Sequence, residues 1–140
     1  MDNKPIDSLR RAHEAFSRHD LAAVTADMRP DVAVTIHNRG QTLPSAEAFR
    51  DYLGQQLAMA SDARITGATY IEAGEYAVAQ FTVTGTQDGP LLNFPPSHRP
   101  FAFGVCEVWR YDADGRAVEG HNYADALGLL MQLGHIPVPA

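Results

Sequence analysis

The sequence predicts an α+β domain in which helices pack on one face of a curved antiparallel sheet, enclosing a cone with an apolar interior. Three observations carry this expectation. Apolar residues recur at helical spacing through much of residues 6–60. From Arg64 to Tyr123 β-rich runs follow one another, joined by the turn-forming stretches Glu72-Ala-Gly-Glu75 and Asp112-Ala-Asp-Gly115. After Asp125 the helical spacing returns at Leu127, Leu130 and Met131.

Ile6, Leu9, Ala12, Ala15 and Phe16 mark an amphipathic helix over Ile6 to Ser17, with Pro5 or Asp7 near its start. His19-Asp20 interrupts it, and Asp20 is placed to cap a second helix, Leu21 to Met28. Arg29-Pro30-Asp31 reads as a turn before a short strand, Val32 to His37. Ser45 opens a longer helix from Ala46 to about Ala60. Strands are expected over Arg64 to Ile71, Tyr76 to Thr86, Arg99 to Tyr111 and Arg116 to Tyr123. Gln87 to His98 is a Gly/Pro-rich loop, and Ala126 to Leu133 is a final short helix stopped by Gly134 and Pro137.

A chain of 140 residues is sized for a single domain, here taken as 1–140. The N-terminus shows no apolar run behind a basic start, no stretch approaches the roughly 20 apolar residues that cross a bilayer, and Cys106 is the lone cysteine. These point to a cytoplasmic protein with no membrane partner. A formal charge of -6, with Arg10-Arg11 as the only basic pair, speaks against nucleic acid, whose binding rests on many phosphate contacts. The six histidines have no metal-ligand spacing, and no Gly-rich phosphate loop is present. The expected partner is a small hydrophobic molecule.

The polar candidates cluster near the last strand. Glu119, His121, Tyr123 and Asp125 alternate, so they share one face of a strand, and that strand end is expected to floor the pocket. Asp125 has two roles open to it, N-cap of the following helix and pocket acid/base, and one residue can fill both. His121 is positioned to tune it or to bind substrate, and His37, ending the first strand, is a second polar candidate. Phe94, Phe103, Trp109 and Tyr123 are candidate apolar walls, Phe94 from the loop. Glu107 lies in an apolar run and either faces solvent or is paired inward. Asn122 has the opposite parity from Asp125 and is not placed in the site.

Several stretches together suggest a family. They are Thr82-Val-Thr-Gly-Thr86 leading to Gly89-Pro-Leu-Leu, Pro95-Pro96 with Arg99, and the strand Glu107-Val-Trp-Arg-Tyr. Asp114-Gly115-Arg116-Ala-Val-Glu119, Asp125 and Leu129-Leu-Met-Gln-Leu-Gly134 complete the set. The chain resembles the SnoaL-like polyketide cyclases (ester cyclases), within the folds similar to nuclear transport factor 2 and ketosteroid isomerase. The resemblance implies a cone-shaped domain, often a homodimer, that closes a ring by intramolecular aldol condensation without metal or organic cofactor. It also implies an acid/base aspartate at the end of the last strand, matching Asp125. Gln87-Asp88-Gly89 and Ser97-His98-Arg99 depart from the family pattern in the loop expected to lid the pocket. The rival readings are a non-catalytic module holding a hydrophobic ligand, or another reaction on the scaffold: isomerisation, dehydration or epoxide hydrolysis.

Overall fold

The computed structural model describes residues 4–139. The expectation of no leader segment begins on residues 1–3, which lie outside the described residues. Helix α1 spans Pro5–Ser17, with Pro5 fixing the backbone at its first turn and Leu9, His13 and Phe16 buried along one face. Helix α2 is a single turn, Leu21–Val24, capped by the Asp20 carboxylate on the Ala23 N–H. It stops earlier than the spacing predicts because strand β1 begins at Met28 and runs to Ile36. Arg29-Pro30-Asp31, read from sequence as a turn, therefore lies inside a strand. Proline is accommodated because the ladder to the neighbouring strand is interrupted between Met28 and Ala33.

A 3₁₀ turn, His37–Arg39, ends at Gly40 with φ 59°, a left-handed conformation that favours glycine. It leads into a short edge strand, β2 (Gln41–Leu43), that the sequence pattern does not announce. Helix α3 (Ala46–Met59) is capped by Ser45. Strands β3 (Arg64–Ala73), β4 (Tyr76–Thr86), β5 (Pro100–Tyr111) and β6 (Ala117–Ala124) follow, and helix α4 (Ala126–Gln132) closes the described chain.

The strands form one curved, unclosed sheet in the order β2-β1-β6-β5-β4-β3. Every pairing is antiparallel except β1 with β6, which is parallel. Register shifts interrupt β3 at Thr66/Thr69 and the β5–β6 ladder at Arg110/Tyr111, and such irregularities bend strands. Helices α1 and α3 cover one face of this sheet, and the core lies between. On β5 the inward residues are Phe101, Phe103, Val105, Glu107, Trp109 and Tyr111, all buried. Opposed pairs share a face, so Glu107 opposite Asn122 and Val105 opposite Ala124 set which side chains of β6 look inward. No helix among the described residues is long and apolar enough to cross a membrane.

Candidate functional site

Between α1, α3 and the inner face of the sheet lies a cavity of about 100 Å³. Its walls are mostly apolar, with Phe16, Phe49, Leu53, Phe81, Phe103 and Trp109 among them. One carboxylate interrupts this lining. Glu107 sits at the centre of β5 and is only 8 % exposed. His13, on the buried face of α1 and 7 % exposed, places Nε2 2.8 Å from Glu107 Oε1. Trp109 Nε1 donates to the same oxygen at 3.2 Å, and Asn122 Nδ2 donates to Oε2 at 3.1 Å. On its other side His13 Nδ1 lies 2.8 Å from the Tyr70 hydroxyl, and Phe81 meets the imidazole edge-on at 4.6 Å.

Burial on its own pushes the Glu107 pKa upward. The hydrogen bond from His13 leads the opposing effects, joined by those from Trp109 and Asn122, and the net direction is downward. The carboxylate is thus ionised at neutral pH inside an apolar chamber, held by donors from α1, β5 and β6. The indole donor is itself fixed by packing. A Cβ built on Gly120 would fall 2.4 Å from the Trp109 ring, so glycine at that position lets the indole lie flat across β6.

Two phenols share the cavity. Tyr52 and Tyr111 are among the residues that line it. Burial raises both pKa values and the nearby Glu107 charge adds to the shift, so both remain O–H donors at neutral pH. An anionic acceptor and two phenols among the residues around one apolar space suit a carbonyl compound, which brings a proton to give and an oxygen to be held.

The residues singled out from sequence divide between the two faces of the sheet. Phe103 and Trp109 line the cavity. Asp125, His121, Tyr123, His37 and Phe94 do not, and the expectation that the Glu119-to-Asp125 face floors the pocket is corrected here. The alternation along β6 is as read, but pairing with β5 turns Asn122 and Ala124 inward and His121 and Tyr123 outward. Asp125 is exposed beyond the strand end, where its Oδ1 accepts the Gly128 N–H at 2.9 Å and caps α4. His37 opens the 3₁₀ turn on the outer face. Its Nε2 lies 2.9 Å from His121 Nδ1, and its ring stacks at 4.2 Å on Tyr123, which is 46 % exposed. His121 Nε2 in turn meets Glu119 Oε2 at 2.7 Å. This hydrogen bond, with that from Arg110, holds the Glu119 carboxyl below the usual glutamate range.

The expected lid is also elsewhere. Gln87 is fully buried and folds the loop onto itself, donating to the carbonyls of Gly89 and Pro95 and accepting from Ser97 N–H. His135 Nε2 lies 2.7 Å from the same Gln87 oxygen, and Phe94 stacks on the His135 ring at 4.9 Å. The loop braces the C-terminal end of α3 and the turn after α4, and contributes nothing to the cavity wall.

His13, Tyr70, Tyr52 and Tyr111 are the members that sequence reasoning missed, and Asn122, set aside there on its parity, is a correction: it faces the cavity. One signal was present. His13 falls on the apolar stripe of α1, four residues after Leu9, and Glu107 has the parity of Phe103 and Trp109. Two ionisable groups on apolar faces have to find each other or leave.

The SnoaL-like domain model matches residues 9–120. Solved structures share the fold at low identity. AclR of Streptomyces galilaeus, described as a proposed hydroxylase, is 20% identical with a TM-score of 0.85, over 97% of this chain and 84% of that one. IdmH of Streptomyces antibioticus, a proposed polyketide cyclase, is 24% identical with a TM-score of 0.82, over 93% and 98%. A Catenulispora acidiphila protein with a ketosteroid isomerase-like fold is 18% identical with a TM-score of 0.77, over 95% and 98%. No curated protein matches the sequence.

Proposed function

Since the chain belongs to the SnoaL-like domain family, we propose that it is a cofactor-independent cyclase or isomerase acting on a small hydrophobic carbonyl compound. The observation that carries this reading is the ionised Glu107 carboxylate, paired with His13 inside an apolar cavity. Glu107 takes the proton α to the carbonyl, and the phenols of Tyr52 and Tyr111 stabilise the oxyanion that develops. The protonated Glu107 then returns the proton to the alkoxide or to a new carbon, giving ring closure or double-bond migration. A carboxylate with a lowered pKa is a weak base, and substrate corrects this. A carbonyl oxygen that engages the Asn122 amide withdraws one of the three donors and raises the basicity of Glu107 as the proton is needed.

A second reading, a non-catalytic module that stores a hydrophobic ligand, is favoured by one feature: both Glu107 oxygens are engaged by donors of the protein itself. Thermal-shift screening of the protein against hydrophobic carbonyl compounds, including aromatic polyketides, followed by mass analysis of the hits, separates the two. Catalysis requires a new product whose formation falls at least about 100-fold in Glu107→Gln. Stabilisation without conversion, equal in both proteins, selects the storage module.

A further inference from the structure

The polar cluster does not end in the cavity. From Glu107 the hydrogen bonds run through His13 to the Tyr70 hydroxyl, at 2.8 Å and 2.8 Å. Tyr70 is on β3, one of the two edge strands of the sheet, and is partly exposed. The guanidinium of Arg10 covers its ring at 4.4 Å, and Glu14 is the other charged group of α1 whose field reaches the phenol. From β4 the apolar Phe81 meets the His13 ring. A continuous line of hydrogen bonds thus links the buried carboxylate to a partly exposed side chain on an edge strand.

We propose that Tyr70 is the outer terminus of a proton relay, through which Glu107 exchanges protons with solvent by way of His13. The inference rests on the reading of Glu107 as the acid/base, and it adds how that group equilibrates with solvent between turnovers. The protons balance as follows. With Glu107 ionised, His13 carries its proton on Nε2 and donates it to Oε1, while the Tyr70 O–H donates to Nδ1. To charge the acid, the Nε2 proton moves to Oε1, the Tyr70 proton moves to Nδ1, and Tyr70 takes one proton from water. His13 ends neutral in its other tautomer, and the net change is one solvent proton delivered to Glu107. The reverse sequence discharges it. Both routes proposed above return the proton to product, so the relay sets the charge of Glu107 before turnover and is not a step of the cycle.

Hydrogen exchange of the His13 Nε2–H, followed by nuclear magnetic resonance on ligand-free ¹⁵N-histidine-labelled protein, tests the relay without any substrate. The resonance is assigned through its proximity to the Trp109 indole proton, since both are donated to Oε1. Tyr70→Phe removes one oxygen from a partly exposed side chain and retains the fold, which the melting curve checks. In this variant exchange slows by at least about fivefold. If Tyr70 merely braced β3 against α1, its loss would loosen the buried pair and speed exchange, so the two roles differ in sign. Unchanged or faster exchange in Tyr70→Phe overturns the relay. Because no turnover is read, a failure to find a substrate leaves this result standing, and a failed relay leaves Glu107 as acid/base untouched.

Discussion

At the scale of single residues, Glu107 is the place where two large effects oppose each other. Burial disfavours its charge, and donors from three elements restore it. Its folded-state pKa lies below the ordinary glutamate value of about 4.3, so the unfolded chain binds the proton more tightly. The stability this contributes is complete above that ordinary value and is lost as pH falls through the lower, folded one. Urea unfolding measured between about pH 6 and about pH 3 will show a steeper loss in the wild type than in Glu107→Gln, which has no proton to gain. Parallel losses would mean that the pairing adds no stability. Glu107 was visible in the sequence as a carboxylate in an apolar run with two possible fates. Choosing between them needed His13, and nothing in local pattern says that residue 13 of a helix meets residue 107 of a strand.

At the scale of elements, β6 and α4 show how a correct local pattern can yield a wrong face. The alternation of Glu119, His121, Tyr123 and Asp125 was legible, as were the helix after Asp125 and the two hairpin turns. Which face of β6 looks inward is decided by its register on β5, where Glu107 opposes Asn122. Register is a tertiary quantity, and a shift of one residue would exchange the two faces. The same limit hid β2 and the true start of β1. A three-residue edge strand and a proline within an interrupted ladder carry no periodic signal of their own. For Asp125 the element sets the consequence. As the cap of α4, its loss in Asp125→Ala will cost about 1 kcal/mol in urea unfolding, while Asp125→Asn, still able to accept the Gly128 N–H, stays within a few tenths. Neither substitution will alter the ligand response of the cavity. A ligand shift abolished in Asp125→Asn with stability intact would return the working carboxylate to the strand end.

At the scale of the whole molecule, the curved sheet and two helices make a chamber whose volume constrains what enters it. The fold class was legible because helical and β-rich segments are segregated along the chain and joined by recognisable turns; the volume was not, because it depends on how far α3 stands off the sheet. About 100 Å³ is less than the ~150 Å³ that accommodates a single benzene ring in an engineered cavity. A ligand with even one ring therefore needs the structure to open, and the element to move is α3. Over the cavity it presents the half-buried Tyr52, Leu53 and Gln56, while Phe49 and Met59 anchor its ends. The single tryptophan of the chain, Trp109, lies in the cavity wall and reports occupancy directly. Stopped-flow fluorescence should then separate ligands by size. A small acyclic ketone will associate at roughly the ordinary 10⁵–10⁷ M⁻¹s⁻¹ of fitting without rearrangement, and a monocyclic or larger one more slowly, with a rate that levels off at high concentration as opening of α3 becomes limiting. Equal association rates that stay linear in concentration for both would show that the chamber is already open, and that α3 does not gate it.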